Sequence, residues 1–377
     1  MGARTGRGFL SGARLMTDKF YGGPLSLYSG KARAYLDWKG VDYEEILSTT
    51  EIYKTIIVPR VGRPVIPVMV TEDGQTLQDT TLIIDHFEDK LGGPSVYPDT
   101  PNQRLIALLM EVFGDEWLVI PAMHYRWNYN EEWVYGEFGA VAAPEASKEE
   151  QLIIGRERGQ TFKGFCPILG INDETIPAIE ASYEALLADL DRHFTQYDYL
   201  LGSRPSIGDY GLIGPLFAHL YRDPASGEIM KRLAPKVAAW VERMVNVEAP
   251  LSGEFLPDDE IPATLILILN RMMAEQMPFL QKTADMFAAW ASGNPDAEIP
   301  RAVGMAEFTV EGTTGQRIAP PFSLWMLQRA ADHYHGLNDE AKSAVDAFLA
   351  NVQDAVAFQD FRSGPRLDFE EFKLRRA

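Results

Sequence analysis

A proline inside an apolar run, Val65-Ile66-Pro67-Val68-Met69-Val70, constrains this chain more than any other short stretch. The run reads as a strand, yet proline has no N–H to give to a sheet ladder. A cis peptide bond before Pro67 reconciles the two. Thr71-Glu72-Asp73-Gly74 and Gln75-Thr76-Leu77 follow, so that two short strands flank Asp-Gly, a strong hairpin signal. Asp79 then stands at a helix N-cap position and opens a helix over Thr80–Lys90, which ends at Gly92-Gly93-Pro94. Upstream, Lys19–Tyr21 reads as a strand and Ser29–Lys39 as a helix. Gly40 sits where a left-handed C-terminal cap belongs, and Val41–Leu47 reads as a second strand. The order is β-α-β, then β-β-α.

With 377 residues the chain is too long for one ordinary domain and suits two or three. Carboxylates outnumber Lys plus Arg by 54 to 35, a net charge of −19. That balance argues against nucleic acid or an anionic membrane surface as partner, although a local basic pocket for an anionic ligand stays compatible with it. Cys166 is the only cysteine, so no intrachain disulfide, CxxC pair or cysteine-based zinc site can form. A reducing, cytoplasmic compartment is expected, although a Cys-poor periplasmic protein would read the same way. The longest aliphatic stretch, Ala263–Leu269, is too short to span a bilayer. The Gly/Arg-rich start has no apolar core of a secretory signal and reads as a disordered leader over 1–17; part of a transit peptide, or a start placed too early before Met16, are the other readings.

From Asn102 onward the pattern is helical. Leu105, Leu108, Leu109, Val112 and Phe113 follow one face, and Ile176, Ile179, Tyr183, Leu186, Leu187, Leu190 and Phe194 follow another. Ser206 to Asp209 is an S-x-x-D capping box opening a buried helix. Beyond residue 250, Ala263–Trp290 reads as mostly helical. Glu307–Ile318 reads as a hairpin around Gly312-Thr313-Thr314-Gly315, and Ser323–Tyr334 and Asn338–Val352 as helices before a charged tail. The first of these helices carries Leu265, Leu269, Met272, Met273, Leu280, Phe287 and Trp290, too much apolar surface for a free tail.

Four local patterns, in order, resemble glutathione transferases. Ser26-Leu27-Tyr28-Ser29-Gly30-Lys31-Ala32-Arg33 is similar to the family's active-site turn, with Leu27 where proline is common. Val65-Ile66-Pro67-Val68 is similar to its cis-proline strand, and Leu77-Gln78-Asp79-Thr80-Thr81-Leu82-Ile83 to the segment that follows, with Thr80 in place of serine. Tyr199 to Asp209, followed by Pro235, Val237 and Trp240, resembles the signature of the helical domain. The resemblance implies an α+β chain. A thioredoxin-like glutathione-binding domain covers 18–98 and an all-helical domain 99–250, followed by a mostly helical extension over 251–377, packed on the helical domain but outside the resemblance.

It also implies glutathione as co-substrate, an electrophilic, mostly apolar small molecule as second substrate, and a homodimer. Ser26, at the start of a helix, would stabilise the glutathione thiolate by its hydroxyl and the helix end. It can equally be a plain N-cap. Ile66 and Pro67 would present backbone groups to the cysteinyl part. Asp79 and Thr80 would take the γ-glutamyl end or merely cap the helix, and Arg63 or Arg60 would take the glycine carboxylate or remain a solvated charge. Trp117, His124 and Tyr125 fall where relatives face the second substrate, but aromatics at helical spacing are as readily core. No metal is expected, because His333 and His335 do not share a helix face. With serine rather than cysteine at position 26, mixed-disulfide chemistry has no protein thiol. Conjugation therefore leads, with a glutathione-dependent lyase or isomerase, or a non-catalytic glutathione-fold binding protein, as alternatives.

Overall fold

Alternation along β1 (Asp18–Gly22) decides how the first sheet buries both faces. Phe20 points to one side, where it meets Met69 and the buried faces of helices Leu27–Lys39 and Thr80–Lys90. Tyr21 points to the other, where it joins Val68, Val70, Ile57 and Val61. A computed structural model describes residues 17–247, 252–362 and 364–377; the leader read from the sequence lies, up to residue 16, outside the described residues. The sheet order is β2-β1-β3-β4. β2 (Tyr43–Leu47) runs parallel to β1, with helix Leu27–Lys39 as the crossover, while β3 (Val68–Val70) and β4 (Thr76–Gln78) complete the sheet antiparallel. Gly40 takes the left-handed cap at φ 73°, and the Ile66–Pro67 bond is cis. One part was not read from the sequence. Residues 50–61 are helical, with a wide π-turn over Tyr53–Ile57 just before Pro59, whose missing N–H leaves a carbonyl of the preceding turn without its donor.

The helical domain is built around Ile207–Ala218, whose residues are almost all buried. Its capping box forms: Asp209 accepts from the Ser206 backbone N–H at 2.8 Å, from the Leu200 N–H at 3.0 Å and from Trp240 Nε1 at 3.3 Å. Helices Glu131–Ala142 and Lys148–Lys163 form a tight pair beside it. Glycine is required there, since a Cβ on Gly139 or Gly155 would lie 1.8 Å from the carbonyl oxygen of Gln151 or Tyr135.

The C-terminal block is stitched onto both domains. Asp259 caps helix Pro101–Val112 from outside, accepting from the N–H groups of Asn102 and Gln103, each at 2.9 Å. Helix Leu265–Gly293 buries Leu269, Met272, Met273, Leu280 and Phe287, and its Glu275 accepts from Trp117 Nε1 at 3.2 Å and Ser182 Oγ at 2.9 Å. β5 (Met305–Val310) and β6 (Thr313–Ile318) form the expected hairpin, but it turns at Glu311-Gly312, both at positive φ, and not across Gly312–Gly315. Helix Pro321–His335 follows. The charged tail, to which the sequence assigned no element, is a second hairpin of β7 (Leu367–Glu370) and β8 (Lys373–Arg376), anchored by the fully buried Leu367.

All three parts meet at one buried ion cluster. Lys31 Nζ, wholly inaccessible, reaches Glu111 at 2.7 Å and Asp115 at 2.5 Å. Arg329, from the extension, binds the other oxygen of Glu111 at 3.0 Å and Asp85 at 3.0 Å. Burial opposes the charge on Lys31, but Asp115 and Glu111 outweigh it and raise the ammonium above its ordinary pKa. Replacing Lys31 by Met leaves the buried Asp115 without its cation and Glu111 with Arg329 alone, so the variant should lose about 3–5 kcal/mol in urea unfolding. A loss under about 1 kcal/mol would show that the cluster relaxes around the missing charge.

Candidate functional site

Asp79 is held in an uncommon conformation for a non-glycine residue, φ 95°, while its Oδ1 accepts from the Thr81 N–H at 2.9 Å. This sharp entry to helix Thr80–Lys90, together with Ile66 and Pro67, forms one wall of a cavity of about 740 Å³. Tyr28, Arg63, Val65 and Gln78 complete that wall. The opposite wall is made by the extension: the loop Pro295–Arg301, Ile318, Phe322, Phe369 and the strand end Lys373–Arg376.

The charges are uneven. Arg63 donates to Gln78 Oε1 at 2.8 Å, while its buried Nε has no acceptor among the described residues. Burial lowers its pKa, and the neighbouring Arg301 lowers it further. Two guanidinium groups facing one space suit an anionic ligand. Burial raises the Asp79 carboxyl above the ordinary range against the pull of Lys31. Tyr28 donates to the Asp115 carbonyl at 3.3 Å, and burial with Glu116 and Asp115 nearby keeps its phenol firmly protonated. Below Tyr28, the buried Arg317 lies over the rings of Phe279 and Trp117, at 4.6 and 5.3 Å. Burial lowers its pKa to about 10.

Of the residues singled out in the sequence, the structure gathers Ile66, Pro67, Asp79, Thr80 and Arg63 around this cavity. Arg60 instead donates to Thr76 Oγ1 at 3.1 Å, away from it. Ser26 is half-buried at the N-cap of helix Leu27–Lys39, where its Oγ accepts from the Ser29 N–H at 3.1 Å, and it is not among the residues bordering the cavity. Trp117, His124 and Tyr125 do not border it either. Trp117 packs between Phe279 and Phe308, His124 bonds Glu180 at 2.9 Å and Asn128 at 2.7 Å, and Tyr125 stacks on Tyr129. His124 and Tyr125 pack within the helical domain, and Trp117 lies where that domain meets the extension. His333 meets the Pro101 carbonyl at 2.9 Å and His335 faces Arg362, so the two imidazoles diverge.

Sequence reasoning missed Tyr28, Arg301, Phe322, Phe369 and the 373–376 strand. Only the last left a trace: Leu367, Phe369 and Leu374 alternate with charged residues on either side of a turn.

Two family models match the chain: the glutathione S-transferase N-terminal domain over residues 20–95 and the glutathione S-transferase C-terminal domain over residues 173–243. Solved structures of similar fold include a beta-etherase, LigF, from Sphingobium sp. strain SYK-6, with 21% identity, a TM-score of 0.46, and coverage of 62% of this chain and 97% of that one. A Tau class glutathione S-transferase from mango, Mangifera indica, has 18% identity and a TM-score of 0.41, covering 62% and 91%. A glutathione S-transferase from Methylobacillus flagellatus KT with bound glutathione has 16% identity and a TM-score of 0.40, covering 62% and 96%. No curated protein sequence matches the chain. Among the described residues, no helix is long and apolar enough to cross a membrane.

The one thiol of the chain sits elsewhere. Cys166 is buried near the Met123 carbonyl, and burial raises its pKa to about 11. Its thiolate fraction at neutral pH is on the order of one in ten thousand. A disulfide reagent such as dithionitrobenzoate at pH 7.5 should therefore modify the native protein at least about a hundredfold more slowly than the urea-unfolded chain. Equal rates would mean that Cys166 is open to solvent and reactive.

Proposed function

Since the chain belongs to the glutathione S-transferase superfamily, carrying both of its domains in order, we propose that it activates the thiol of glutathione for attack on an electrophilic, mostly apolar small molecule. The observation that carries this reading is the convergence of the cis Ile66–Pro67 unit, the Asp79-Thr80 helix start and Arg63 on a single cavity. Glutathione has one ammonium and two carboxylates. In this reading Asp79 takes the γ-glutamyl ammonium, and the Thr80 hydroxyl with the helix-start N–H groups takes the γ-glutamyl carboxylate. The backbone of Ile66 pairs with the cysteinyl unit as an added strand. Arg63 takes the glycine carboxylate. Ser26 and the N-terminus of its helix stabilise the thiolate. A thioredoxin-like domain to residue 98, a helical domain to 250, a packed extension thereafter, a homodimer and a cytoplasmic setting belong to the same reading.

One observation favours a second reading, binding without turnover: Ser26 does not border the cavity and already accepts the Ser29 N–H. A lyase or isomerase would use the same thiolate on another substrate and shares the first reading's requirements.

Ser26→Ala separates the two readings. If Ser26 donates to the thiolate, turnover should fall on the order of ten- to a thousand-fold. The pKa of bound glutathione, read by thiolate absorbance, should rise while affinity stays near wild type. An unchanged thiol pKa removes Ser26 from the chemistry. Asp79→Ala and Thr80→Val should each weaken glutathione binding by about 1–3 kcal/mol in calorimetry. The melting temperature reports the separate cost of a lost cap, about 1 kcal/mol. Wild-type affinity in both variants would leave capping as their whole role.

A further inference from the structure

Every residue that borders the cavity belongs either to the chain up to Thr80 or to the extension from Pro295 onward, and none lies between 99 and 250. The helical domain, where the second substrate was expected, is closed at His124 and Tyr125 by its own side chains and at Trp117 by Phe279 and Phe308 of the extension. The face opposite Ile66 and Thr80 carries an apolar patch, Ile299, Pro300, Ile318 and Leu374 beside the rings of Phe322 and Phe369, with charged residues of the Pro295–Arg301 loop and the Lys373–Arg376 strand around it. Those two rings stand edge to face, 6.0 Å apart at 83°. Trp325 backs both, at 5.2 and 5.5 Å. Gln328 pins the neighbouring Leu367 by two hydrogen bonds to its backbone, at 2.9 and 3.0 Å, which fixes the strand that carries Phe369. Phe322 and Phe369 are only half-buried, so each keeps ring surface toward the cavity.

We propose that the extension, and not the helical domain, supplies the second-substrate subsite, and that this subsite takes an aromatic electrophile. The inference rests on the reading that glutathione occupies the Ile66–Thr80 wall. Two supported rings offer an aromatic guest both burial and a favourable edge or face contact, whereas an aliphatic guest gains burial alone. The cavity volume falls within the range of about 300–1,000 Å³ that holds drug-sized ligands, room enough for a tripeptide carrying a ring on its sulfur.

Calorimetry with S-methylglutathione and S-benzylglutathione tests this without turnover. The wild-type protein should bind the benzyl conjugate at least about tenfold more tightly than the methyl one, each ring contact contributing roughly two- to tenfold. In the Phe322→Leu/Phe369→Leu double variant that advantage should shrink to about twofold, with unchanged affinity for S-methylglutathione showing the fold and the glutathione wall intact. Trp117→Phe should keep the full benzyl advantage. The proposal is overturned if the wild type shows no benzyl advantage, if the advantage survives the double variant, or if Trp117→Phe removes it. A wild-type protein that binds neither conjugate overturns the glutathione reading and this subsite together. Binding of the methyl conjugate without a benzyl advantage overturns the subsite alone.

Discussion

The ammonium of Lys31 has no water to return to, and much of the molecule is arranged to hold it. Moving such a charge out of water costs several kcal/mol unless partners meet it at close range. The partners, Glu111 and Asp115, lie outside the sheet domain that contains Lys31, so the first two domains cannot part without stranding a buried ion. Glu111 in turn spends its second oxygen on Arg329 of the extension. A cluster of this kind is weak ground for net stability. Its consequence is positional. Thr81 Oγ1 donates to Glu111 at 2.8 Å, so Thr80 and Asp79, the next residues along, are tied to the cluster, and Asp115 offers its carbonyl to Tyr28. The floor of the cavity is thus set by charges that never reach it.

Much of the Ile66–Thr80 wall was legible in the sequence because its signals are local and backbone-bound. Pro67 in an apolar run admits few conformations, Gly40 and Asp79 mark helix ends, and the Ser206–Asp209 box needs only four consecutive residues. The opposite wall was not legible, because nothing local distinguishes Phe322 from any other apolar residue at the start of a helix, and Phe369 reaches the cavity only through pairing with β8. Trp117, His124 and Tyr125 show the converse. Helical spacing is the same for a packed interior and a ligand wall, and only the arrival of Phe279 and Phe308 from the extension fills the space beside Trp117.

Charge follows a similar division. The chain carries a net −19, yet five cationic residues (Arg63, Arg301, Lys373, Arg375 and Arg376) border the cavity against three acidic ones (Asp79, Asp296 and Glu298). Several of these cations are already committed: Lys373 pairs with Glu298, Arg375 with Glu371, and Arg376 donates to the carbonyls of Ala291, Asn294 and Ala297. Arg63, bonded to Gln78, and Arg301 both border the space, close enough that Arg301 lowers the Arg63 pKa. A local excess of cations in an acidic protein suits a net-negative ligand, which the surface at large would repel.

Asp259 has a consequence for the order of synthesis. Helix Pro101–Val112 begins without a side-chain cap of its own, and the carboxylate that satisfies Asn102 and Gln103 arrives more than a hundred and fifty residues later. As the chain leaves the ribosome, both familiar domains are complete in sequence before that carboxylate, or the Arg329 guanidinium, exists. The nascent chain therefore waits with an open helix end and a Glu111 oxygen lacking its cation until the extension is translated. Hydrogen exchange at the Asn102 and Gln103 amides, fast in a chain halted at Val247 and slow in the full protein, would record that closure; equal protection in both would show the helix to be settled before the extension arrives.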